Sequence, residues 1–123
     1  MGFEIEYLAA FKKQLKRLGK RHKSIYKDVA GLVASLSDNP TQGVLLEPGV
    51  RKIRVAIKSK SRGKSGGARV ITYIHYFDYS DQTGLVLLLS IYDKADVANI
   101  SDDMLRAYVK QAKHIAKNRS DER

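Results

Sequence analysis

The stretch Val50-Arg51-Lys52-Ile53-Arg54-Val55-Ala56-Ile57-Lys58 sets the frame for reading the rest of the chain. Ile53, Val55 and Ile57 alternate with Lys52, Arg54 and Lys58. A period of two places apolar side chains on one face of a strand and cations on the other. Upstream the period is 3.6. Leu8, Phe11, Leu15 and Leu18 form one helical stripe, with Lys12, Lys13, Lys16 and Arg17 on the other faces. Ile25, Val29, Leu32, Val33 and Leu36 form a second stripe, separated from the first by Gly19. Asn39-Pro40 ends it, because a residue before proline avoids the helical region. Before both, Phe3, Ile5 and Tyr7 alternate with Glu4 and Glu6 as a short opening strand.

Downstream, residues 68–77 are predicted as a second strand. The run LVLLLSIYDK after Gly84 is a third, apolar on both faces at first and therefore central in the sheet. Ser101 is the expected N-cap of a last helix, with Asp102 and Asp103 at its positive end. Leu105, Val109, Ala112 and Ala116 share one stripe of that helix. The order strand, two helices, three strands, helix predicts an α+β fold. It is a twisted, mainly antiparallel sheet with an N-terminal pair of helices and a C-terminal helix, the helices segregated on one face. At 123 residues there is room for one domain, read as 1–116, with 117–123 as a flexible tail.

With 43% hydrophobic and 29% charged residues the composition is that of a globular chain. No cysteine is present, which excludes disulfides, thiolate catalysis and cysteine-held zinc. His22, His75 and His114 are too scattered to suggest a metal site, so neither metal nor cofactor is expected. No run approaches the roughly 18 apolar residues of a membrane span, and none resembles a signal peptide. The reading is a cytoplasmic protein without a membrane partner.

Net charge is +10, and it is unevenly placed. Residues 50–75 carry Arg51, Lys52, Arg54, Lys58, Lys60, Arg62, Lys64 and Arg69 and no carboxylate. Such a block attracts a polyanion, most commonly a phosphate backbone. Gly63-Lys64-Ser65 does not complete a nucleotide-binding loop, because Lys58 stands where that motif needs glycine. Asp93 and Asp96 beside Lys94 are thin support for magnesium, so a nuclease here would be a metal-free one.

Metal-free RNA cleavage requires a base for the 2′-hydroxyl, cations for the pentacoordinate phosphorane and an acid for the leaving 5′-oxygen. Clustered Lys and Arg can supply all three. Lys52 and Arg54 are two apart and share a face, Arg69 opens the next strand, and Tyr92 and Lys94 close the third. An aromatic beside such cations can stack on a base.

Val50-Arg51-Lys52-Ile53-Arg54, Arg62-Gly63-Lys64-Ser65-Gly66-Gly67, Arg69-Val70-Ile71 and Ile91-Tyr92-Asp93-Lys94 together resemble the RelE/ParE superfamily of toxins from type II toxin–antitoxin systems. Within it they look most like the HigB-like mRNA interferases. The resemblance covers about residues 3–115. It implies a ribosome-dependent endoribonuclease that cuts mRNA in the A site and is masked by a cognate antitoxin. It also implies roles: Lys52 as general base, Arg54 as a stabiliser of charge, Arg69 on the scissile phosphate, Lys94 as proton donor and Tyr92 as stacking residue. Arg51, Lys58, Lys60, Arg62 and Lys64 would hold RNA or ribosome. The tyrosine that RelE carries shortly after the last strand has no counterpart in residues 97–100. Two alternatives share the same surface, a ParE-like gyrase poison and a non-catalytic nucleic-acid-binding module.

Overall fold

In a computed structural model that describes residues 2–60, 63 and 66–123, the chain is α+β. The elements are β1 (Gly2–Tyr7), α1 (Ala9–Gly19), α2 (Ile25–Asp38), β2 (Val44–Glu47), β3 (Val50–Val55), a 3-10 turn (Lys58–Lys60), β4 (Ala68–Asp78), β5 (Thr83–Asp93) and α3 (Asp102–Asp121). The strands form one sheet in the order β1-β5-β4-β3-β2. β1 runs parallel to β5, and every other neighbouring pair is antiparallel. β5 lies inside the sheet between β1 and β4, as its apolar faces require, while the middle strand is β4.

Three expectations need correction. A fifth strand precedes the basic one: β2 turns into β3 through Pro48-Gly49, where Gly49 takes φ +79, a conformation glycine adopts without steric cost. Second, the helices are not confined to one face. Phe11, Leu15 and Leu18 of α1 and Ile25, Val29, Leu32 and Leu36 of α2 pack on Ile53, Val55, Val70, Val86, Leu88 and Ile91. Tyr108, Val109, Ala112 and Ala116 of α3 pack on Val50, Ile71, Leu85, Leu87 and Leu89 from the opposite side. A strand apolar on both faces needs cover on both, and α3 supplies the second layer. Third, the tail expected from residue 117 is the continuation of α3. Arg119 pairs with Glu4 and Glu6 of β1, and the Arg123 guanidinium lies 4.1 Å from the centre of the Phe77 ring.

One irregularity matters more than the rest. Ile71 pairs with Ser90 but Thr72 pairs with Leu88, so Leu89 is an extra residue in β5. Such a bulge re-aims the side chains beyond it. Leu87 and Leu89 face α3, whereas Ile91, only two residues on, faces α1 and α2. Tyr92 therefore packs on the α3 side, and Asp93 returns to the other.

Candidate functional site

Because paired residues of an antiparallel ladder share a face, the register of β3, β4 and β5 defines a row. Arg54 lies opposite Arg69, and Arg69 lies opposite Tyr92. Neighbouring strands are about 4.8 Å apart, so the three side chains start side by side. Lys52, two residues from Arg54, heads the next row opposite Ile71. Lys52, Arg54, Arg69 and Tyr92 thus come together on the α3 face, at the end of the sheet where α3 begins. Like charges directly across a ladder destabilise it, and an anion lying over them relieves that cost.

The four differ in how they are held. Arg54 is exposed. Arg69 is 3% exposed, and its Nη1 donates to the Ala68 carbonyl at 3.3 Å. The Lys52 ammonium donates to Asn99 Oδ1 at 3.3 Å, which ties the segment between β5 and α3 across the sheet. The Tyr92 hydroxyl is buried beside the Ile100 backbone. Burial raises the Tyr92 phenol above its ordinary value, against smaller opposing pulls from the Ile100 backbone N–H and then the Arg69 charge. Lys94 follows in the turn beyond β5, exposed, with its backbone N–H on the Gly67 carbonyl at 3.1 Å.

The remaining basic residues do not join this group. Arg51 pairs with Thr72 and lies on the opposite face from Lys52. Lys58 is exposed in the 3-10 turn. Lys60 is largely enclosed and bonded to Asp93 at 2.9 and 3.2 Å, an internal ion pair rather than an outward cation. Arg62 and Lys64 lie outside the described residues. His75 accepts or donates to Ser120 Oγ at 2.6 Å beneath the far end of α3, a structural partner away from the row.

Sequence reasoning missed the groups that hold the row in place. Asp93, weighed only as a magnesium ligand, is 3% exposed and faces α1 and α2. Its carboxylate receives Lys60, His22 Nε2 at 2.9 Å and the Ala95 N–H at 2.9 Å, with Arg21 at 3.8 Å. Burial pushes the Asp93 carboxyl up, but the Ala95 N–H, Lys60 and His22 outweigh it and hold the group below the ordinary carboxylate range. His22 and Asp93 are 71 residues apart, so no local spacing signals the pair.

Gln14 is the other omission. β1 ends at Tyr7, leaving the edge of β5 open beyond Leu88. Gln14 Oε1 fills that gap, accepting from Ile91 N at 2.9 Å and Ser90 Oγ at 3.0 Å, while its Nε2 donates to Tyr108. One α1 side chain thereby stands in for a missing strand and joins both helical layers. A polar residue interrupting the α1 stripe was the available signal. Among the described residues no three His, Cys, Asp or Glu side chains gather as a metal-binding group, and no helix is long and apolar enough to cross a membrane.

No protein-family model matches the chain. Among solved structures it is similar to a double arginine-to-alanine variant of E. coli toxin RelE in the free state. The two share 14% sequence identity over 90% of this chain and 98% of that one, with a TM-score of 0.57. The fold is therefore RelE-like.

Proposed function

We propose that this protein is a toxin of a type II toxin–antitoxin system, of the RelE/ParE superfamily and the HigB-like kind, which cuts mRNA in the ribosomal A site. The observation that carries this reading is the Arg54–Arg69–Tyr92 row with Lys52 beside it, presented on a RelE-like sheet. Arg54 and Arg69 suit the non-bridging oxygens of a phosphate, since each guanidinium offers a planar fork of donors. Lys52, in its neutral amine form, is assigned to take the 2′-hydroxyl proton. The 2′-oxygen attacks phosphorus, the bond to the 5′-oxygen breaks, and Lys94 protonates the leaving oxygen. The products are a 2′,3′-cyclic phosphate and a 5′-hydroxyl. The attacking group belongs to the RNA, so no protein nucleophile enters.

Lys58 and the cations of α1 and the turn after it, Lys12, Lys16, Lys20 and Lys23, are exposed and are assigned to ribosomal phosphates. The antitoxin is assigned to the cationic face, which it masks. Purified protein incubated with a short mRNA on programmed ribosomes, beside the same mRNA alone, tests the reading. Cuts confined to the ribosome lane at the A-site codon, and lost in Lys52→Ala and Lys94→Ala, are expected. Cuts in naked RNA as well would remove the ribosome requirement. Intact RNA in both lanes from folded protein would overturn the nuclease and leave gyrase poisoning or plain binding.

A further inference from the structure

Of the seven large apolar side chains exposed among the described residues, three are consecutive: Val44, Leu45 and Leu46 of β2. They stand on the last strand of the sheet, with β3 on one side and, among the described residues, no strand on the other. Such an edge presents backbone N–H and C=O groups to any strand that approaches it, and natural edges are commonly blunted with lysine. β2 carries no lysine. Its protections are its length of four residues, the bulge between Leu45 and Glu47, and the Glu47-Pro48 end.

The charge around this edge decides what covers it best. The chain is +10, yet residues 28–50 contain no lysine or arginine and three carboxylates, Asp28, Asp38 and Glu47. A nucleic acid or an acidic protein segment gains more on the cationic stretch that follows than on this one. A second copy of the chain is repelled least here. With two β2 edges paired, the cations of the two β3 strands would start three strand spacings apart, about 14 Å. That exceeds the screening length of about 8 Å at physiological salt.

The strand is also self-complementary. Val44 lies opposite Lys52 and Glu47 opposite Val50, and Val50 and Lys52 share the α3 face, so Val44 and Glu47 share it too. The bulge brings this about, since residues three apart on a regular strand face opposite ways. In an antiparallel pair of β2 strands, Val44 can therefore stand opposite the partner's Glu47 on one face, with Leu45 opposite the partner's Leu46. That carries a carboxylate to two strand spacings from Lys52, about 10 Å, nearer than the cations of the partner's β3.

We propose that β2 is a homodimer interface, in which the edges of two copies pair antiparallel about a two-fold axis normal to the sheet. The two five-stranded sheets then become one, and both basic rows face the same side, because such an axis does not exchange faces. Two-fold pairing occupies both β2 edges and closes. A four-residue ladder with three apolar side chains per copy falls below the roughly 1,200 Å² of standard interfaces, so the dimer is weak and reversible.

Sedimentation velocity of the full chain between about 5 and 500 µM, in low and high salt, tests this by mass action. The weight-average sedimentation coefficient should climb toward that of a dimer and stop there. Added salt should strengthen the association, because it screens the repulsion between two chains of +10. Leu45→Glu should abolish the climb, and the exposed position leaves the core intact. Glu47→Lys should weaken the dimer at low salt by up to about five-fold, the weight of one exposed ion pair. In amide NMR spectra of the unaltered chain, broadening with concentration should centre on residues 43–48, a readout that needs no variant. A monomer across the whole range would overturn the proposal, as would a dimer that survives Leu45→Glu or one that salt dissolves. Growth past the dimer would refute two-fold closure. None of these results depends on RNA cleavage.

Discussion

Replacing Asp93 with asparagine separates charge from volume at the most enclosed carboxylate in the fold. The side chains are nearly isosteric, so no cavity opens. What changes is that one oxygen becomes an amide nitrogen and the negative charge disappears. Lys60 and His22, 16% and 14% exposed at their side chains, then face a neutral group that offers one acceptor fewer. Breaking a buried pair from one side costs about 3–5 kcal/mol. Both partners retain slight access to water, which favours the lower end, near 3 kcal/mol. With a urea m-value of about 2 kcal/mol per molar for a chain of this size, the midpoint should fall by about 1.5 M at unchanged slope. The pH arm follows from the depressed folded-state pKa. An ionised Asp93 contributes stability that is complete above the unfolded value of 3.8 and is lost as pH falls through the lower folded value. The gap between wild type and Asp93→Asn should therefore be full at pH 6 and shrink below pH 3.8. Midpoints within about 0.3 M of each other at pH 6 would refute the reasoning, since that is under 1 kcal/mol.

Three further outcomes are expected. Gly67→Ala should destabilise by about 1–3 kcal/mol in urea melts, because an added Cβ would lie 2.1 Å from the Val55 carbonyl oxygen and force β3 and β4 apart next to Arg69. Gln14→Leu should cost about 1–3 kcal/mol by stranding the Ile91 N–H and Ser90 hydroxyl, with faster amide exchange confined to the end of β5. Ser101→Ala should cost about 1 kcal/mol, since Ser101 Oγ accepts from Met104 N at 3.2 Å, and Ser101→Asp should restore it.

The apolar stripes of α1, α2 and α3 and the alternation of β3 could be read directly, because each is a local pattern whose buried members match it. β2 could not. Val44, Leu45 and Leu46 are 63%, 56% and 39% exposed, so the strand is held by hydrogen bonds to β3 and leaves no burial signature. The last turns of α3 were hidden for a different reason. Their anchors, Glu4 and Glu6 for Arg119 and Phe77 for Arg123, lie in strands far away in sequence. In the candidate site, Lys52 and Arg54 share a face by spacing alone, and the structure places them so. The separation of Lys60 from that set was not legible. It depends on Asp93 meeting Lys60 across 33 residues.

The extra residue at Leu89 gives β5 a lopsided tolerance to changes in length. Tyr92 and Asp93 are consecutive and point to opposite sides, one beside an arginine pair and the other onto Lys60 and His22. Removing Leu89 would return the ladder to plain pleating and leave both side chains where they are, since the pairs on either side would simply become adjacent. Adding one residue there also preserves the faces, because Leu88 and Ser90 would then stand three apart and alternate without a bulge. But it slides the rest of β5 by two places along β4 and takes Tyr92 away from Arg69 and Asp93 away from Lys60 and His22. A family descended from this sequence could shorten β5 by one residue and keep both face and pairing, whereas lengthening it by one would keep the face and lose the pairing.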